Sequence, residues 1–167
     1  MTLSRDELAD FAESMARAGD RDTQHVTEEH LVVKLEIWQA NADGTIPTST
    51  GSLHRDGWTF TGWGRAGTDD GGRYNFSTVI PGPCDPGAAP FFLITVFARG
   101  LLNRLFTRAY VPGGQLAGDP LLASLPPERR DTLIATREGA GLRFDIQLQD
   151  APGKPETVFL RYAGHQR

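Results

Sequence analysis

Four histidines, three tyrosines and one cysteine are the residues of this 167-residue chain best suited to hold a metal or act as nucleophiles. Imidazole nitrogen and thiolate suit transition metals, and phenolate oxygen suits a hard ferric ion. Their spacing does not build a site by itself. His25 and His30 stand five apart, which suits neither one face of a helix nor one face of a strand. His54 falls in a polar stretch and His165 close to the C-terminal end. Tyr74, Tyr110 and Tyr162 fall inside strand-like segments, where packing is their expected role. A single cysteine allows no internal disulfide framework and no Cys-based zinc site. Cys84 stands among prolines and beside Asp85, with no base or positive charge next to it, so an inert thiol is expected.

The elements that must position these groups follow from composition and pattern. Nineteen glycines and eleven prolines make the chain turn often, which favours many short strands over a helical bundle. The net charge of -4 offers nothing to nucleic acid. No apolar run approaches the ~20 residues needed to span a bilayer, so no membrane partner is expected. The first twenty residues are mixed and acidic, unlike a secretory signal, and a cytoplasmic location is expected. Within them Leu8, Phe11, Ala12 and Met15 line one face of a helix over 5–18. Ser4 and Glu7 form a capping box, Leu3 and Leu8 fit the hydrophobic staple, and Gly19 is a stop. That apolar stripe requires a packing surface, on its own domain or on a partner chain.

The chain then divides into this helix with a polar loop, residues 1–30, and a β domain over 31–167. Strand patterns fall at 31–39, 58–63, 73–79, 91–98, 104–111, 131–137, 142–149 and 156–162. Residues 40–57 are loop chemistry, TDDGG at 68–72 is a turn, and Pro126-Pro127 can open a short helical turn. Residues 81–90 (PGPCDPGAAP) hold four prolines and exclude a regular element. About eight short strands with irregular loops predict an antiparallel β-sandwich. Phe91-Phe92-Leu93-Ile94 is apolar on consecutive positions, so both faces of that strand must avoid water. Covering each such side chain is worth on the order of 1.5–3 kcal/mol. A loop, the N-terminal helix or another chain must cover the outer face.

Several segments, in order along 35–162, carry a resemblance. They are LEIWQANADG (Leu35–Gly44), GWGRAGTDDGGRYNFSTVIPG (Gly62–Gly82), VFARGLLNRLFTRAY (Val96–Tyr110), RRDTLIA (Arg129–Ala135), RFDI (Arg143–Ile146) and ETVF (Glu156–Phe159). Together they resemble the intradiol ring-cleaving dioxygenases, and most closely the iron-free α-type subunits of the protocatechuate 3,4-dioxygenases. The resemblance implies the antiparallel β-sandwich of that family, here with an added N-terminal amphipathic helix. It also implies dioxygen-dependent cleavage of a catechol between its hydroxyls, at a ferric ion held by two tyrosines and two histidines.

Matched place by place, this chain has Ile46 and Cys84 where the family's tyrosines stand, and Phe91 and Leu93 where its histidines stand. No tyrosine or histidine lies anywhere in 75–109. The resemblance therefore implies no metal and no catalytic residue in this chain, with apolar side chains filling the vacated pocket. Fe(III) is expected in a β-type partner subunit. Arg99, in Phe97-Ala98-Arg99-Gly100, matches an α-type arginine beside the substrate pocket, where a guanidinium can bind a carboxylate through two parallel hydrogen bonds. The plainer role for Arg99 is a strand-end ion pair. The expected function is that of a subunit inactive alone, shaping with its partner a site for a protocatechuate-like aromatic acid. The alternative is a non-enzymatic sandwich that binds a ligand or protein and keeps only the fold. Two departures bear on the choice. The family's strand, DGDG-like turn and PVPDA-like segment do not precede LEIWQ, and neither does the α-type TVGPFF-like arm. Gly44-Thr45-Ile46-Pro47 also replaces the usual Gly-Arg-Tyr.

Overall fold

The computed structural model describes residues 33–48 and 59–162. The expected helix over 5–18, the polar stretch 19–30 and all four histidines lie outside these residues.

The main sheet has four strands, β1 (Lys34–Trp38), β2 (Trp63–Gly67), β3 (Phe91–Phe97) and β4 (Leu105–Tyr110), in the order β2-β1-β3-β4. Every pairing in it is antiparallel. A two-stranded ribbon, β5 (Thr136–Glu138) with β6 (Gly141–Arg143), follows two short helices, α1 (Pro120–Ala123) and α2 (Pro127–Asp131). The architecture is mainly β and antiparallel, as the short alternating segments predict. Among the described residues no helix is long and apolar enough to cross a membrane.

Alternation decides which side chains meet. Register places Leu35 opposite Val96, Ile37 opposite Ile94, and Phe92 opposite Ala109, all on one face. These residues are buried, and they pack against Tyr74, Phe144, Ile146 and Leu148 to form the main core. The Tyr74 hydroxyl crosses to donate to the Phe144 carbonyl at 3.2 Å, which satisfies the one polar atom that this ring carries into the core. On the opposite face Phe91, Leu93 and Phe97 are half-buried and Trp38 is half-exposed, so β3 is apolar on both sides as expected.

Several expected strands are shorter or absent. The segment expected over 58–63 becomes a strand only from Trp63 onward. Gly62, at φ +66°, turns the chain where a Cβ would stand 2.5 Å from the Gln39 carbonyl oxygen. Residues 74–79 form no strand and join neither sheet, although the Tyr74 and Phe76 rings lie 6.1 Å apart, edge to face. Over 131–137 the helix α2 runs into the expected strand, because Leu133 and Ile134 still donate to carbonyls three residues back. Ile134 makes an isolated parallel bridge to Tyr110, and the antiparallel ladder of β5 with β6 starts at Thr136. Beyond Arg143 and over 156–162, side chains take the place of ladder partners. The Thr157 hydroxyl accepts the Gln147 N–H at 2.8 Å, and the Thr132 hydroxyl accepts the Val158 N–H at 3.1 Å. Threonine oxygens thus satisfy backbone groups without a continuous strand. Sheet-like contacts there are isolated: Phe106 bridges Leu160, Ala151 bridges Lys154, and Thr157 N–H donates to the Gln147 carbonyl at 2.9 Å.

Candidate functional site

The chain that leaves β1 at Trp38 emerges beside the start of β3, because Trp38 lies opposite Leu93. Its loop, 39–47, packs on the proline loop 81–90. Gly82 N–H donates to the Asn41 carbonyl at 2.8 Å, and a Cβ on Gly82 would stand 2.5 Å from the Ala42 carbonyl oxygen. Gly44, at φ +87°, presses on the Pro83 carbonyl in the same way. The loops carrying Ile46 and Cys84 are therefore held together by glycine backbone contacts at the end of the sheet where Phe91 and Leu93 begin β3. Both Ile46 and Cys84 are exposed. Gln39 adds a tie at this end: its amide donates to the Val79 carbonyl at 2.8 Å and accepts the Thr78 hydroxyl at 2.6 Å.

Phe91 and Leu93 share the outer face of β3 with Arg108 and Tyr110 of β4, which lie opposite Leu93 and Phe91 respectively. The Arg108 guanidinium sits 4.1 Å from the centroid of the Phe91 ring, close enough for a cation–π contact. Its Nη1 donates to the Tyr110 hydroxyl at 3.1 Å. The Tyr110 ring lies 5.6 Å from that of Phe91. The Tyr110 hydroxyl in turn donates to Asp119 Oδ1 at 3.0 Å. Asp119 is buried and caps α1: Oδ1 also accepts the N–H groups of Leu121 and Leu122, while Oδ2 accepts the Ala89 N–H at 3.1 Å. One carboxylate thus joins β4, a helix start and the proline loop. Burial, more than any other cause, pushes the Tyr110 phenol up to about 12. The nearby Asp119 charge adds to this and Arg108 opposes it.

The donors at the four matched places do not suit a ferric ion. Ile46, Phe91 and Leu93 offer only carbon, and Cys84 offers a single exposed thiol. A positive guanidinium already lies against Phe91. Among the described residues no group of three or more His, Cys, Asp or Glu is placed to hold a metal. Tyr74 and Tyr110 are buried in hydrogen-bonded packing roles, and Tyr162 packs edge-on against Phe106 at 5.3 Å.

Arg99 is not brought to this end. It is exposed in the turn between β3 and β4, beyond Phe97, and so lies at the other end of the strand that Phe91 begins. Arg108, Tyr110 and Asp119 form a cluster that motif reading did not single out. Asp119-Pro120 carries a readable signal, since aspartate at the cap followed by proline at the first helical position marks a helix start. Arg108 carries no such signal. Its place beside Phe91 depends on the pairing register of two strands.

No family model matches the chain. It is 37% identical over 135 residues to the protocatechuate 3,4-dioxygenase alpha chain of Burkholderia cepacia, covering 75% of this chain and 66% of that protein. It is 36% identical over 140 residues to the alpha chain of Pseudomonas putida, covering 77% and 66%. It is 34% identical over 140 residues to the protocatechuate 3,4-dioxygenase beta chain of Burkholderia cepacia, covering 72% and 58%. The chain therefore spans 66% of the length of the two alpha chains and 58% of that of the beta chain. Among solved structures, a 3-chlorocatechol 1,2-dioxygenase from Rhodococcus opacus aligns with a TM-score of 0.42 at 20% identity, covering 69% of this chain and 50% of that one. On its identity of 34–37% to both α and β chains over 135–140 residues, the chain belongs to the intradiol ring-cleaving dioxygenase family.

Proposed function

We propose that the chain is the iron-free, α-type subunit of a protocatechuate 3,4-dioxygenase-like enzyme, acting in the cytoplasm. It would shape a substrate site whose ferric iron belongs to a β-type partner. The observation that carries this is the state of the matched ligand places. The places that the resemblance assigns to the ligands hold Ile46, Cys84, Phe91 and Leu93, and Arg108 lodges on Phe91. Resemblance to two α chains at 36–37% identity supports the same reading. The substrate would be a small aromatic acid of the protocatechuate type, and Arg99 would offer its guanidinium to the carboxylate. Ring cleavage itself would belong to the partner's iron; this chain contributes shape and positive charge.

The test is co-expression with a β-type homologue that carries the two tyrosines and two histidines. Co-purification, with iron in the partner and protocatechuate turnover by the pair only, is the expected result. The chain purified alone should hold no stoichiometric iron. A tightly held ferric ion with a tyrosinate charge-transfer band in the lone chain would overturn the proposal. Failure of the two chains to associate would favour a non-enzymatic sandwich instead.

A further inference from the structure

At the opposite end of β4 from Tyr110 lies a cavity of about 450 Å³, between the start of that strand and the 156–162 segment bridged to it. Among the described residues three arginines line it, Arg104, Arg129 and Arg161, with one carboxylate, Glu156. This lining is basic although the whole chain carries a net charge of -4. Phe106 and Tyr162 supply an aromatic wall, their rings 5.3 Å apart and perpendicular. The Arg104 guanidinium sits 5.4 Å from the Phe106 ring centroid. Arg129 is anchored by Nη1 to the Glu156 carbonyl oxygen at 2.6 Å, a bond that uses one of its five N–H donors and fixes the head group. The cavity size lies within the range of small-molecule sites.

Apolar ring faces beside forked cations recognise one kind of ligand. A planar aromatic acid can stack its ring on the wall and direct its carboxylate to the guanidiniums. A neutral arene lacks the second contact, and an inorganic anion lacks the first. We propose that this cavity is a binding site for small aromatic carboxylates, formed by this chain alone and independent of any partner subunit. The site needs neither Phe91 nor Leu93, and it stands or falls apart from the assembly proposed above.

The test uses the full chain, labelled with nitrogen-15 and titrated with benzoate, benzamide and inorganic phosphate. Benzoate should saturate with a Kd on the order of 1 mM or tighter. Its amide shifts should centre on residues 103–106, 129 and 156–162. Benzamide and phosphate should each bind roughly fivefold more weakly or less, since each lacks half of the recognition. Arg161 is exposed, and Arg161→Gln should weaken benzoate roughly fivefold while leaving the melting temperature unchanged. The proposal is overturned by the absence of saturable benzoate shifts, by shifts centred elsewhere, by phosphate or benzamide binding as well as benzoate, or by an Arg161→Gln variant that binds like the parent. If Arg161→Gln proves unstable, Arg161→Lys, which keeps the charge and loses the planar fork, should weaken benzoate about twofold or more, and parent-like binding by it overturns the proposal in the same way.

Discussion

Tyr110 donates its hydroxyl to Asp119 at 3.0 Å, and through that carboxylate the edge strand β4 is bonded to both the start of α1 and the proline loop. Removing the carboxylate would leave four N–H or O–H donors without their partner, three of them on buried residues. Asp119→Ala should lower stability by roughly 3 kcal/mol or more, combining a lost helix cap with stranded buried donors. Asp119→Asn keeps one oxygen and should cost about half as much. Urea unfolding followed by circular dichroism measures both. A loss below about 1 kcal/mol for the alanine variant would contradict the bonding described.

The same tyrosine sets the alkaline limit of the fold. Its folded value, about 12, lies above the ordinary phenol value of 10.0, and burial also holds Tyr74 well above that value. Below pH ~10 both residues are protonated in the folded and unfolded chain, and their contribution is intact. Between pH ~10 and ~12 the unfolded chain releases protons that the native state keeps, so stability falls as pH rises. Tyr110→Phe should remove part of this alkaline slope, on the order of 1–2 kcal/mol. Urea midpoints measured from about pH 8 to about pH 11 would reveal it. An unchanged slope would mean that the Tyr110 phenol titrates as if exposed.

Two glycines offer a contrast in cause. Gly82→Ala would push a methyl into the backbone of the 42–44 loop, with contacts of 2.5 and 2.6 Å, and neither loop can move without the other. A loss of about 2 kcal/mol or more is expected. Gly87, at φ +83°, meets nothing within 4 Å, so Gly87→Ala should cost only backbone strain, about 1 kcal/mol. Thermal melts of the two variants side by side would decide it, and equal losses would mean that the two loops are not braced.

In the assembly proposed above, Arg99→Ala should raise the apparent KM for protocatechuate about tenfold or more and leave that for catechol nearly unchanged, since only the former has a carboxylate. Equal effects on both substrates would assign Arg99 to the turn rather than to the substrate.

Much of this arrangement is legible in the amino-acid sequence. Period-two alternation in Leu35–Ile37 and the doubly apolar run at Phe91 mark the central strands, because side-chain burial alone dictates them. The irregular course of 81–90 follows from its prolines. The segments 142–149 and 156–162 read as strands yet form almost no ladder, since threonine hydroxyls replace strand carbonyls as acceptors. Alternation reports burial on one side and is blind to what the backbone bonds to. That Ile46, Phe91 and Leu93 offer only carbon, and Cys84 a single thiol, is likewise readable residue by residue. Arg108 on Phe91 is not, because that contact exists only once β3 and β4 adopt their register.

The bond from Ala89 to Asp119 spans thirty residues. A chain emerging from the ribosome makes the proline loop well before it makes the carboxylate that fastens it. The Ala89 end of this loop must therefore wait through synthesis of the whole β3–β4 hairpin, while Gly82 at its other end already has Asn41. A premature stop between Tyr110 and Asp119 would release a hairpin whose loop is loose at Ala89 and whose tyrosine has lost its acceptor, a product for cellular proteases.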